Sequence, residues 1–180
     1  MVRVLTNSRY RNIGNLQLPH LRHTLKEFED GEDLKILSNA AQTLVILSLV
    51  EASRFSNPDW KRRAIAMAKK GLQYIDDSYP HACVAQREST IRRVHDNDIH
   101  SALASSSFDC QYKLSPRMNA ELGQLALQSA INHVHNEDLS KAIEKLRTWQ
   151  PMNIKSPSKA ERIVLYHLTI WEGKILRYRG

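Results

Sequence analysis

Glycine and proline are scarce, six of each in 180 residues. So few chain-turning residues exclude an all-β protein with many tight hairpins and favour long helices. Cysteine occurs twice, at Cys83 and Cys110. That is too few for a disulfide framework and points to a reducing, intracellular compartment, cytoplasmic or nuclear. No apolar run approaches the roughly 20 residues that a membrane-spanning helix needs. The longest, Leu44 to Val50, is interrupted by Ser48. No segment of useful length alternates polar and apolar residues with a period of two, which removes the main signal for a strand.

Acid is missing from one end of the chain. The first 26 residues hold Arg3, Arg9, Arg11, Arg22 and Lys26, with no acid before Glu27. A mitochondrial presequence has this balance, but Pro19 and the Asn/Gly steps near Ile13 break a continuous amphipathic helix. Residues 1–17 therefore read as a flexible basic arm, and residues 18–180 as a single helical domain.

What is present is ordinary for a folded chain: 42% apolar and 25% charged residues, too apolar for a disordered one. The net charge is +7, spread along the sequence rather than gathered in a tail. That balance suits contact with nucleic acid or another anionic surface and equally suits solvated helix faces.

Helical spacing of apolar residues predicts helices over Leu18–Asp30, Asp33–Phe55, a segment from Pro58, His81–His95, a weaker Asp98–Tyr112, Pro116–His135, Asp138–Trp149 and Pro157–Arg179. In the segment from Pro58, Trp60, Ala64, Ile65, Ala68, Leu72 and Ile75 share one face. Asn57-Pro58, Ser115-Pro116 and Ser156-Pro157 each put a capping side chain before a proline at the first helical position, where the missing N–H costs nothing. Ser158 and Glu161 could form a capping box that moves the last start by two residues.

The helices fall into pairs with a recurring layout. Ala64, Ala102 and Ala142 each lie near the start of a second helix, at steps of 38 and 40 residues. Twelve residues before each stand Ala52, Thr90 and Ala130, and the matching position in the last helix is Gly173. Polar breaks fall between the marks at Asn57-Pro58-Asp59, Asp96-Asn97-Asp98 and Asn136-Glu137-Asp138. Small residues at fixed places let neighbouring helices approach closely, and a fixed period is the signature of stacked units.

This layout resembles the tetratricopeptide (TPR) repeat, a helix-turn-helix with a small residue in its first helix and an alanine opening its second. WEGKILRYRG at residues 171–180 is the best local match, with Gly173 at the close-packing position and Gly180 at the turn. AIAMAKKGLQYID and KAIEKLRTW resemble second helices. The resemblance implies an all-α fold of antiparallel hairpins stacked as a short right-handed α-solenoid of about three and a half TPR-like units. It also implies a non-catalytic scaffold that binds a partner protein or peptide along a groove. The fourth unit would consist of its first helix alone, which either caps the array itself or, as the remnant of a longer array, leaves an uncovered face that would drive self-association.

Chemical motifs do not emerge. None of the eight histidines has a carboxylate at the spacing of a zinc-protease motif, and neither cysteine belongs to a C-x-x-C pair. Serine-rich SALASSSFDC, residues 101–110, contains no G-x-S-x-G elbow. The glycines never cluster into a phosphate loop. Neither a catalytic residue, a metal nor a cofactor is expected, although an enzyme or accessory protein with a pocket between helices is a further alternative.

The basic clusters are the functional lead. Lys61 and Arg62 open one second helix with Lys69 further along it, and Arg87, Arg92 and Arg93 lie on the next helix. On stacked hairpins these cations would line one groove, suited to an acidic segment of a partner protein or, alternatively, to a nucleic-acid backbone. Trp60, Trp149 and Trp171 are expected in packing roles.

Overall fold

The computed structural model describes Lys26 and residues 35–55, 57–107 and 115–179. The arm over residues 1–17, nearly all of the helix expected at Leu18–Asp30, Cys110 and Gly180 lie outside the described residues. The described residues form seven α-helices and no strand, an all-α architecture. In chain order these are α1 (Asn39–Phe55), α2 (Pro58–Leu72), α3 (Ser78–His95), α4 (Ile99–Ser106), α5 (Pro116–His135), α6 (Leu139–Arg147) and α7 (Lys159–Tyr178). Contacts divide the chain into two compact units, with the boundary between Arg87 and Glu88, inside α3.

In the first unit α1 packs against α2. Asn57 caps α2 by accepting the Trp60 N–H at 2.9 Å, and Pro58 follows it at the first helical position. Ala64, Ile65, Ala68 and Ile75 from the expected face are buried, while Trp60 and Leu72 are half-buried. They meet the buried face of α1, which carries Ile46, Leu49 and Ala52. The α1 helix starts at Asn39, after Ser38 has offered its oxygens to the N–H groups of Ala41 and Gln42. The first half of α3 adds Ala82, Cys83 and Val84, all buried.

In the second unit α5 packs against α4, α6 and α7, and α6 also packs against α7. The shared core holds Leu127, Ala130, Ile131, Ala142, Ile143, Leu146, Trp149, Val164, Leu168 and Ile175, with Trp171 packed at its edge. A buried chain of hydrogen bonds ties three helices together. Asn132 donates to Ser89 Oγ at 2.9 Å, and Ser89 donates to the Ala102 carbonyl at 2.9 Å.

The start of α7 differs from one of the two expected starts. Ser158 caps it in place of Ser156, through the reciprocal box with Glu161. The box wins because Glu161 can return a hydrogen bond to the Ser158 N–H, at 2.9 Å. Glu161 is 2% exposed and also accepts from Asn119 Nδ2 at 2.9 Å and Met152 N at 2.8 Å.

Two turns in this unit match closely. Asn97 (φ 52°) and Glu137 (φ 59°) are the two non-glycine residues with positive φ among the described residues, and they are forty positions apart. Each precedes an aspartate cap of similar backbone shape, Asp98 (φ −104°, ψ 87°) and Asp138 (φ −96°, ψ 73°). Each cap accepts the N–H three residues on, from Ser101 at 2.9 Å and Lys141 at 3.0 Å. Four residues after each cap comes a fully buried alanine, Ala102 or Ala142. The break at Asn57-Pro58 is built differently. Its cap, Asn57, is extended (φ −66°, ψ 164°), and Ala64 follows that cap by seven positions rather than four.

Candidate functional site

The expected small positions divide into two kinds. Ala52, Ala64, Ala102, Ala130 and Ala142 are fully buried. Thr90 is half-buried and donates to Gln128 Oε1 at 3.2 Å. Gly173 is exposed, and a Cβ built there meets nothing within 4 Å, so it permits no close approach among the described residues. Close packing of backbone on side chains occurs instead at Gly123, where a Cβ would lie 2.5 Å from Val164 Cγ1 and 2.7 Å from Trp149 Cε2. Gly123 is unremarkable in the sequence, because helical glycines carry no mark of what faces them.

The expected basic residues also separate. In the first unit Arg87 points inward. Its Nε donates to Ser53 Oγ and its Nη2 to the Ser53 carbonyl, both at 2.8 Å. Burial, and then the neighbouring Arg54 cation, lower its pKa to about 10, against the opposing pull of Glu51. Burial raises the Glu51 carboxyl against the pull of Arg54 and Arg87, and Arg54 contacts it at 3.2 Å. Burial, followed by repulsion from Arg87, lowers Lys61. The fold thus brings Lys61 and Arg87 close enough to interact. Arg62 lies on the exposed side of α2 and pairs with Asp59 at 2.9 Å, while Lys69 is exposed in the last turn of the same helix.

In the second unit Arg92 sits between Glu88 at 3.6 Å, one turn before it on α3, and Asp96 at 3.5 Å, just past the end of that helix. Arg93 turns toward α5, with Nη2 3.4 Å from Gln128 Oε1 and Nη1 3.4 Å from His135 Nε2. Burial lowers the pKa of Arg93. Burial, then the Arg93 charge, lowers that of His135. A guanidinium this committed to its own fold is a packing element as much as a charge.

A further surface lies on α7, which is apolar on two opposite faces. Val164, Leu168 and Ile175 are buried, together with Glu161. Ile163, Tyr166 and Ile170 point outward, at 48%, 66% and 37% exposure. Gly173 continues the same line. A period of 3.6 residues puts Lys159, Arg162, Lys174 and Arg177 within about 60° of that line. The two acids of the helix lie more than about 130° away from it. Glu161 is buried, and Glu172 is held by Arg147 at 2.7 Å. Lys174 Nζ rests over the Trp171 ring, 4.7 Å from its centroid. The i, i+3, i+7 spacing of Ile163, Tyr166 and Ile170 was available in the sequence, but a second apolar line on the same helix hid it.

Among the described residues no three of His, Cys, Asp or Glu are placed to hold a metal ion, and no helix is long and apolar enough to cross a membrane. No protein-family model matches the chain, and neither does any curated protein or solved structure.

Proposed function

We propose that the protein is a non-catalytic scaffold of TPR-like helix hairpins, stacked as a short right-handed α-solenoid, that holds a partner protein or peptide. The observation that carries this reading is the pair of matched turns forty residues apart. Asn97-Asp98 and Glu137-Asp138 share a left-handed residue, an aspartate cap and a buried alanine four residues on. In both, a long first helix is joined to a short second one: 18 and 8 residues for α3 and α4, 20 and 9 for α5 and α6. A unit that recurs with its turn chemistry intact is how a solenoid covers each apolar face with its neighbour, and the surface so extended serves recognition. α7 lies against both helices of the α5–α6 pair, where the first helix of a following unit would lie.

Capture by the full chain from native lysate tests the reading, in parallel with a variant reversed in charge at Arg62, Lys69 and Arg92. A scaffold retains discrete proteins after nuclease treatment. Loss of all capture with nuclease, together with a steep fall in affinity as salt rises, would replace this reading with nucleic-acid binding.

A further inference from the structure

We propose that the outward face of α7 is a docking surface for an amphipathic helix of a partner protein, one whose apolar stripe is flanked by Asp and Glu. The inference rests on the scaffold reading and assigns it a contact surface and a partner chemistry.

Three features select this occupant. The first is the apolar line Ile163, Tyr166, Ile170, which keeps helical spacing and is exposed although the opposite face of α7 already fills the core. A partner helix meets such a line through its own i, i+3, i+4, i+7 positions. The second is charge. Lys159, Arg162, Lys174 and Arg177 border the line, and neither acid of α7 does, because Glu161 is buried and Glu172 faces Arg147. Acidic flanks on the incoming helix would meet these cations with charge-assisted hydrogen bonds. A second copy of this chain would bring four more cations against the same four, which disfavours self-pairing through this face. The third is shape. Gly173 continues the line and bares the α7 backbone, with nothing within 4 Å of where a Cβ would stand. A bare stretch of helix lets the backbone or a bulky side chain of a rigid partner come close. A fluid anionic bilayer would gain nothing from it, so a protein helix is the better fit.

The test is selection from a display library of 20-residue peptides with apolar residues fixed at helical spacing and randomised flanks, against the immobilised full chain. The expected result is enrichment of Asp and Glu at the flanks. Synthetic copies of the winners should bind at least tenfold more weakly to Ile170→Asp, to the double variant Arg162→Glu, Arg177→Glu, and to Gly173→Leu. These positions are exposed or half-exposed, and helical content by circular dichroism checks that each variant is folded. Neutral or basic flanks, or winners indifferent to these substitutions, would overturn the proposal. So would a dimer in sedimentation velocity that Ile170→Asp abolishes. Binding to phosphatidylserine vesicles that survives Gly173→Leu and is not competed by the winning peptides would overturn it in favour of a membrane surface. Lysate partners that persist in the Ile170→Asp variant would leave the scaffold reading standing while this proposal fails.

Discussion

The indole N–H of Trp149 donates to the backbone carbonyl of Asn119 at 2.7 Å, and this bond holds the ring against α5 where Gly123 has no side chain. Asn119 in turn donates from Nδ2 to the carboxylate of Glu161. One short segment of α5 therefore fixes both the residue that follows α6 and the first turn of α7.

Gly123→Ala should destabilise the protein by about 1–3 kcal/mol, because the new methyl meets a pinned ring and Val164. Gly173→Ala should act in the opposite direction, stabilising by up to about 1 kcal/mol, since it replaces glycine in a helix with open space around it. Urea denaturation of the two variants beside the natural chain checks the pair. Equal effects would mean that Gly123 is not a contact point.

Glu161 makes stability depend on acid. Burial pushes its carboxyl up, but hydrogen bonds from Met152, Asn119 and Ser158 outweigh this and hold it at about 2. Its folded value lies below the 4.5 expected without these contacts. The contribution is therefore complete above about pH 4.5 and fades as pH falls toward 2. Glu161→Gln should cost about 1–3 kcal/mol at pH 7, as removal of charge-assisted bonds does. The difference between variant and natural chain should shrink steadily from pH 5 to pH 2 in a denaturation series.

The matched turns should respond alike to loss of their caps. Asp98→Ala and Asp138→Ala are each expected to cost about 0.5–2 kcal/mol. Glycine at the left-handed positions should separate them. Glu137→Gly should stabilise by about 1 kcal/mol, because a glutamate side chain crowds the backbone at positive φ. Asn97→Gly should gain less, since asparagine tolerates that conformation. Thermal denaturation of the four variants measures both comparisons.

Arg87 anchors α3 to α1 through two bonds to Ser53 that lysine cannot reproduce. Arg87→Lys should lose about 1–3 kcal/mol in chemical denaturation, the range for bonds to a charged donor. Arg62→Lys, at an exposed pair, should change stability by less than about 0.5 kcal/mol.

The local signals in the sequence translated well where the chain itself holds the answer. Asn57-Pro58 and Ser115-Pro116 cap helices as their side chains dictate, because a capping bond spans three residues and needs no distant partner. The Ser158–Glu161 box started α7 for the same reason. The buried alanines at positions 102 and 142 follow from their distance to an aspartate cap, again within one turn. Harder to read was anything set across helices. Gly123 and Gly173 look alike in the sequence, yet one faces Trp149 and the other faces open space. The cations at 62, 69, 87, 92 and 93 look like one surface, yet Arg87 and Arg93 are drawn into polar contacts that only their neighbouring helices supply.

The amino-acid order alone settled that the described residues are helical and where most of their helices begin, since each rests on contacts made within a few residues. Tertiary packing decided which of two apolar lines on α7 enters the core, which glycine must lack a side chain, and which arginines serve the fold. Those outcomes depend on what stands opposite each residue, and a helix does not encode its neighbour in its own spacing.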